Sequence, residues 1–364
     1  RLQDAYQALR AGVRDLQVLV TTNATFGGEP FRRGLHPELC HHLLVADEMH
    51  NLGAGEAREA LPEGVRMRLG LSATPERHHD FEGSQALRDY FGEIVYEFPL
   101  KRAIEEGHLV PYYYHPVLVK FTEEEAERYL TLTRQISWAM RGGDDDTPPS
   151  QELMALLIRR SRLIGSAANK LPALIDVLKK LESPARQAIF YCGDGSTECE
   201  VSGELTRQIK AVTNLLHAEA GLRTRQFTYE ESSAEREDIL KRLRSGNLDG
   251  IVAIRCLDEG IDLPDVRMGF LMASSTNPRQ FIQRRGRLLR KADGKHHATI
   301  YDFIVEPAGL DSEHDADVFN VERRLFRREL ARIVEFCETA INGPAALGVM
   351  RDLRTRFNLL GGGS

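Results

Sequence analysis

An α/β fold built as two parallel-sheet domains, the first of them incomplete, is what this sequence predicts. Three observations carry that expectation. Short apolar runs near the start, 43–46 and 67–71, read as buried strands that close on polar residues. From about residue 166 onward, apolar strands alternate with amphipathic helices as far as Phe303. A chain of 364 residues with 42% hydrophobic and 28% charged content is ample for two cores.

In chain order, residues 1–10 read as a helix with Leu2, Tyr6 and Leu9 on one face. Leu16-Gln17-Val18-Leu19-Val20 reads as a strand closing at Thr21-Thr22. The next strand, 43–46, delivers Asp47, Glu48 and His50 at its carboxyl end, where ligands bind in open α/β sheets. An acidic pair there suits a hydrated Mg²⁺ and an attacking water, Asp47 holding the metal and Glu48 polarising the water. Taken alone, the same residues read rather as a strand ending in a solvated Asp-Glu and a surface histidine. A third strand, 67–71, ends in Ser72-Ala73-Thr74-Pro75, where Pro75 stops pairing and points Ser72 and Thr74 out of the sheet edge. No Gly-x-x-x-x-Gly-Lys-Ser/Thr occurs in the chain. The loop whose amides and lysine would cradle phosphates is expected upstream of Arg1, so the chain reads as truncated at its front or as supplied with that half elsewhere.

Residues 101–165 follow a helical pattern. Ala126, Tyr129, Leu130 and Thr133 share a face of a long helix that Thr122 caps, 142–150 is a polar loop, and a second helix starts at Gln151. The second domain then runs helix 170–181, strand 187–191, helix 204–216 and strand 223–229. Ser232 and Glu235 stand at capping-box spacing ahead of a stripe of Ile239, Leu240 and Leu243, with Gly246 ending that helix. Strands 250–254 and 266–272, a helix opening at Asn277-Pro278, and strand 298–303 complete it. Residues 316–360 read as an Arg- and Glu-rich helical tail. The expected partition is 1–115 for the partial first domain, 116–165 for a helical linker or insertion, 166–305 for the second domain, 306–360 for the tail and 361–364 for a linker.

Composition narrows the function. With 48 basic and 54 acidic residues the net charge is −6, which excludes a globally basic nucleic-acid coat and leaves room for a local basic groove. Five scattered cysteines, Cys40, Cys192, Cys199, Cys256 and Cys337, show neither CxxC nor zinc spacing and read as reduced thiols in the cytoplasm. The doublets His41-His42, His78-His79 and His296-His297 lack partners at ligand spacing, so they read as surface residues. No run is long and apolar enough for a membrane span, and no signal peptide opens the chain.

Two stretches of the second domain carry chemistry. Residues 251–264 read as strand, turn and Pro stop, in which Gly260 permits close backbone approach and Asp262 suits a ribose hydroxyl. A loop with capping carboxylates is the alternative. The helix after Pro278 places Gln283, Arg287 and Arg290 at i, i+4 and i+7 on one face, opposite Phe281 and Leu288. Guanidiniums at a domain edge fit phosphate oxygens, and arginine fingers contribute roughly 10³–10⁵ in rate. A solvated basic helix is the alternative there. Gly286, costing about 1 kcal/mol of helix propensity, points to close approach of a ligand or partner.

Asp47-Glu48-Met49-His50, Ser72-Ala73-Thr74-Pro75, Glu259-Gly260-Ile261-Asp262-Leu263-Pro264 and Gln283-Arg284-Arg285-Gly286-Arg287-Leu288-Leu289-Arg290 resemble motifs II, III, V and VI of superfamily 2 helicases. The resemblance is to the XPB-like DEAD/DEAH-box branch, which includes restriction-type motors, and it covers nearly the whole chain. It implies two RecA-like P-loop NTPase-type domains, with ATP hydrolysed at the cleft between them. ATP and Mg²⁺ are the implied cofactors and DNA rather than RNA the implied partner, with three-prime to five-prime movement. By the resemblance, Asp47 binds Mg²⁺, Glu48 activates water, and His50, Ser72 and Thr74 couple ATP state to domain closure. Gly260, Asp262, Gln283, Arg287 and Arg290 contact nucleotide, and Thr22 lies near the nucleic-acid backbone. Three departures stand out. Motif I is absent, so the chain as written is not expected to hydrolyse ATP. Met49 replaces the usual small residue, and Ile254 stands where many members have a phosphate-contacting threonine. Two other readings remain: an ATPase-inactive scaffold binding nucleic acid or partner proteins, and a motor subunit of a restriction or phage-defence complex with nuclease or repair partners.

Overall fold

The computed structural model describes residues 2–35, 42–76, 80–140, 150–193, 200–254, 263, 265–273, 278–308 and 316–359. Contacts divide the chain into two units, Arg1–Glu97 and Phe98–Ser364. Gly260, Asp262, Cys40, Cys199, Cys256, His41, the pair His78-His79, loop 141–149 and residues 361–364 lie outside the described residues.

The first unit holds α1 (Leu2–Arg10), α2 (Asn23–Gly27), α3 (Glu29–Gly34), β1 (Leu43–Ala46), α4 (Gly55–Glu59), β2 (Met67–Gly70) and α5 (Phe81–Phe91). Strands β1 and β2 pair in parallel, Leu43 opposite Met67 through Ala46 opposite Gly70. Because side chains alternate across a strand, the sheet has an inner and an outer face. Ala46 lies on the inner face and packs with Leu52 and Leu87. Leu43, Val45, Met67 and Leu69 on the outer face are exposed, although parallel strands ordinarily have both faces covered. Residues 16–20, expected as a strand, form none. A strand exists only through its pairing, and this run has no regular structure and is largely exposed, Val20 to 90%.

The second unit runs α6 (Leu100–Glu105), β3 (Tyr112–Val119), α7 (Glu123–Ala139), α8 (Gln151–Gly165), α9 (Lys170–Lys179), β4 (Ala188–Tyr191), α10 (Glu200–Ala220), β5 (Thr224–Phe227) and α11 (Ser233–Arg244). It continues with β6 (Gly250–Ala253), β7 (Met268–Leu271), α12 (Pro278–Leu288), β8 (Ala298–Val305), α13 (Ala316–Thr339), α14 (Gly343–Val349) and α15 (Arg351–Arg356). Six parallel strands stand in the order β3-β8-β7-β4-β6-β5. Both faces are covered, so β4 and β6 are wholly buried. The helix starts follow the chemistry of their caps: Thr122 with Glu125 and Ser232 with Glu235 form complete capping boxes.

The expected partition differs here. Residues 98–115 fall in the second unit, and β3 is a strand of its sheet, paired along its length with β8. Pro116 in the run argues against a central strand, but β3 is an edge strand, where a missing N–H costs nothing. The edge is closed by Asn342, whose amide accepts from Tyr114 N–H and donates to Tyr114 O, both at 2.9 Å. That protects the edge against further strand addition. Helices α7 and α8 belong to the same unit and pack against α13, Ile136 and Leu156 with Val321.

Helix α13 is locked to the sheet by buried charge. Asp302 on β8 accepts from Tyr114 Oη at 2.7 Å and from Arg332 Nη1 at 2.5 Å, and Asp302 and Arg332 are 0% and 2% exposed. Glu322 accepts from Arg160 at 2.8 Å and from the Tyr129 hydroxyl, tying α13 to α7 and α8. Removing one partner of such a pair strands the other. Asp302→Ala is expected to cost about 3–5 kcal/mol of stability, read as a drop in the urea midpoint. A cost under about 1 kcal/mol would show that solvent reaches Arg332.

Candidate functional site

Strand β1 ends on Ala46, and its carbonyl accepts from Leu71 N–H at 2.8 Å while Met49 N–H returns to Leu71 O at 2.9 Å. These two bonds fix the stretch between them, Asp47-Glu48, at the carboxyl end of the sheet. Glu48 takes φ 48° and ψ 49°, a left-handed conformation that a residue with a Cβ enters only at a cost. The turn aims its carboxylate back toward His50, Oε2 lying 3.3 Å from Nδ1. Asp47 is exposed and its Oδ1 accepts from Glu48 N–H at 3.0 Å.

His50 is fully buried, with Nδ1 3.0 Å from Ser72 Oγ. Ser72 Oγ donates its single hydrogen to Thr74 O at 2.9 Å and accepts from Thr74 N–H at 3.2 Å. His50 Nδ1 thus lies within 3.0 Å of Ser72 Oγ and 3.3 Å of Glu48 Oε2. The sequence-predicted trio His50, Ser72 and Thr74 is thus brought together, with Glu48 as a fourth member. Such a chain can pass a change at the Glu48 carboxylate to the backbone after β2.

Met49 fits because of Gly70. A Cβ on Gly70 would lie 2.3 Å from Met49 Sδ and 3.2 Å from the Phe91 ring. Gly70→Ala is expected to destabilise the first unit by about 1–3 kcal/mol. Adding Met49→Ala restores most of the loss, as a thermal melt of the single and double variants would show. Equal melts for Gly70→Ala with and without Met49→Ala would separate the two positions.

Thr22 is exposed and serves as N-cap of α2, its hydroxyl accepting from Thr25 N–H at 3.2 Å. In the second unit, Gln283 and Arg287 are half-buried on α12. Arg290 does not share their helical face. The helix ends at Leu288, and Arg290 is exposed beyond it, bridged in antiparallel fashion to Leu109. The helix lies close against β7 because Leu288 occupies the place of a side chain at Gly269, 2.5 Å from its missing Cβ. A Cβ on Gly286, by contrast, meets no atom within 4 Å.

Sequence reasoning passed over Arg284 and Arg285, each 3% exposed. Arg284 donates to Ala273 O at 3.2 Å and lies over the Tyr191 ring, while Arg285 donates to Glu335 O at 3.2 Å and pairs with its carboxylate. The signal was present: they stand three and four residues after Phe281, on the core-facing side of the helix. Among the described residues no three His, Cys, Asp or Glu side chains converge on a metal position. A Mg²⁺ held by one carboxylate, water and substrate phosphates needs no such cage, so Asp47 fits that mode. Among the described residues no helix is long and apolar enough to cross a membrane.

Residues 169–292 match the family model of the helicase conserved C-terminal domain. The chain is 29% identical over 272 residues to the DNA 3'-5' translocase XPB2 of Sulfurisphaera tokodaii, covering 69% of this chain and 56% of that protein. It is 26% identical over 211 residues to UvrABC system protein B of Thermotoga maritima, covering 54% and 29% respectively. It thus spans about half the length of the first relative and less of the second. Among solved structures, the ATP-dependent Type ISP restriction-modification enzyme LlaBIII bound to DNA aligns with a TM-score of 0.51 at 17% identity, over 93% of this chain and 24% of that one. That likeness concerns the fold, an arrangement of two RecA-like α/β domains.

Proposed function

The chain belongs to the superfamily 2 helicases, on their XPB-like branch, and on that premise we propose that it is the motor portion of an ATP-dependent DNA helicase or translocase. The observation that carries the reading is Glu48. A non-glycine residue held left-handed at the end of β1, with its carboxylate set against a buried histidine, is strain maintained at the position where hydrolytic chemistry is expected.

In this reading Asp47 holds Mg²⁺, and Glu48 orients the attacking water and takes its proton. When bound, Mg-ATP supplies the phosphorus that is attacked and the metal charge that neutralises its oxygens. His50, Ser72 and Thr74 transmit the change at Glu48 to the segment after β2. Gln283, Arg287 and Arg290 are the second unit's phosphate-facing side chains, and Gly260 and Asp262 its further nucleotide contacts. Thr22 lies along the DNA backbone. DNA is held mainly through phosphates, so affinity falls steeply with salt. The bare outer face of β1 and β2 is the natural seat for further elements of the first domain, with a phosphate-binding loop among them. Nuclease or repair subunits are partners consistent with this motor class.

Steady-state Mg-ATP hydrolysis by the full-length protein, with and without single- and double-stranded DNA, tests the proposal. DNA-stimulated turnover is the expected result. A folded protein inert with every nucleic acid would replace the motor by a scaffold that binds nucleic acid or partner proteins.

A further inference from the structure

We infer that Lys170, Arg284 and Lys295 are positioning residues that tie α12 to the end of β7 and fix its last turn through backbone carbonyls. Just past β7, on its side of α12, Lys170 Nζ donates to Met272 O at 2.5 Å, and Arg284 Nη1, reaching back from α12, donates to Ala273 O at 3.2 Å. The same two residues are held from the other side, since both their N–H groups donate to Tyr191 O, at 2.9 and 3.2 Å. At the far end, Lys295 Nζ donates to Leu288 O and to Arg290 O, each at 2.8 Å. The three cations are 1%, 3% and 6% exposed in that order.

Burying an ammonium is costly, and a methionine would fill the same volume without that cost. Fold stability alone therefore does not account for three buried cations that tie one helix to the end of β7 and fix its last turn. Their common product is a fixed position for α12 and for the backbone of Arg290. The inference rests on the motor reading, in which Gln283, Arg287 and Arg290 must meet phosphate oxygens. A misplacement of about 1 Å at such groups can cost about 10²-fold in rate.

The surroundings set the pH window. Lys170 faces Asp302 from β8, Glu329 and Arg332 from α13 and Cys192 beyond β4, and burial, aided by Arg332, outweighs the three acidic groups and lowers its ammonium to about 8. Burial, aided by Arg267 and opposed by Asp265, lowers Lys295 to about 8 as well. Charge on both is thus lost as pH rises through about 8. Unfolded lysine stays protonated there, so the linked stability rises over the same interval. A rate that falls while stability rises is the signature of positioning.

The test uses the full-length protein, measuring kcat and KM for Mg-ATP with DNA from pH 6.5 to 9.5, together with hydrogen exchange of the α12 amides. Lys170→Met and Lys295→Met are expected to lower kcat by about 10²-fold with KM little changed, and to speed exchange in α12. Lys170→Arg combined with Lys295→Arg restores part of the rate and removes its fall above pH 8. The inference is overturned if both methionine variants keep wild-type kcat and wild-type α12 exchange, whatever their melting temperature. If the wild type hydrolyses no ATP with any nucleic acid, the motor reading falls, and the exchange comparison alone decides whether the cations hold the helix.

Discussion

Glu48→Gln is expected to reduce DNA-stimulated ATP hydrolysis by the full-length protein by about 10²–10⁴-fold, the usual contribution of a general base. Glutamine keeps the size of the side chain and leaves an amide where the carboxylate lies 3.3 Å from His50 Nδ1 in the native structure. The left-handed backbone at Glu48 is no harder for glutamine than for glutamate, so the melting temperature should stay within the small range of a surface change. Only the capacity to take a proton is removed. Nucleotide binding survives, and the variant should retain ATP on DNA. Turnover within about threefold of wild type would assign Glu48 to the solvated strand end that its residues alone allow.

Arg287→Ala is expected to have the largest effect, about 10³–10⁵-fold in kcat, if its guanidinium meets developing charge on phosphate. The structure sharpens the comparison with its neighbours. Arg284 and Arg285 are buried against Ala273 O and Glu335, so replacing them should lower stability together with rate. Arg287 is half-buried on a helix whose Gly286 leaves open space beside it. Its loss should lower rate with stability unchanged. Lysine at 287 would not rescue, because a point charge cannot reproduce the planar fork. If Arg287→Ala turns over normally while Arg290→Ala does not, the phosphate contact lies past the end of the helix.

The order of the motifs and the chemistry of most second-unit elements were legible in the sequence by itself, because they depend on local rules. Capping at Thr122 and Ser232, the four-residue apolar strands and the helix opening at Pro278 follow from period, cap and breaker signals that neighbouring residues decide. The grouping of His50 with Ser72 and Thr74 is one that the resemblance to superfamily 2 helicases implies, and the parallel pairing of β1 with β2 brings those residues side by side. Pairing and burial were not legible, because both depend on residues far away in the chain. Strand β3 was hidden by Pro116 until an edge position and Asn342, 226 residues beyond, made it acceptable. Residues 16–20 had a strand's composition and no partner. Arg290 had the spacing of the helical face but lay beyond the helix. The left-handed turn at Glu48 depends on bonds that Ala46 and Met49 make to Leu71, and only the folded chain brings those residues together.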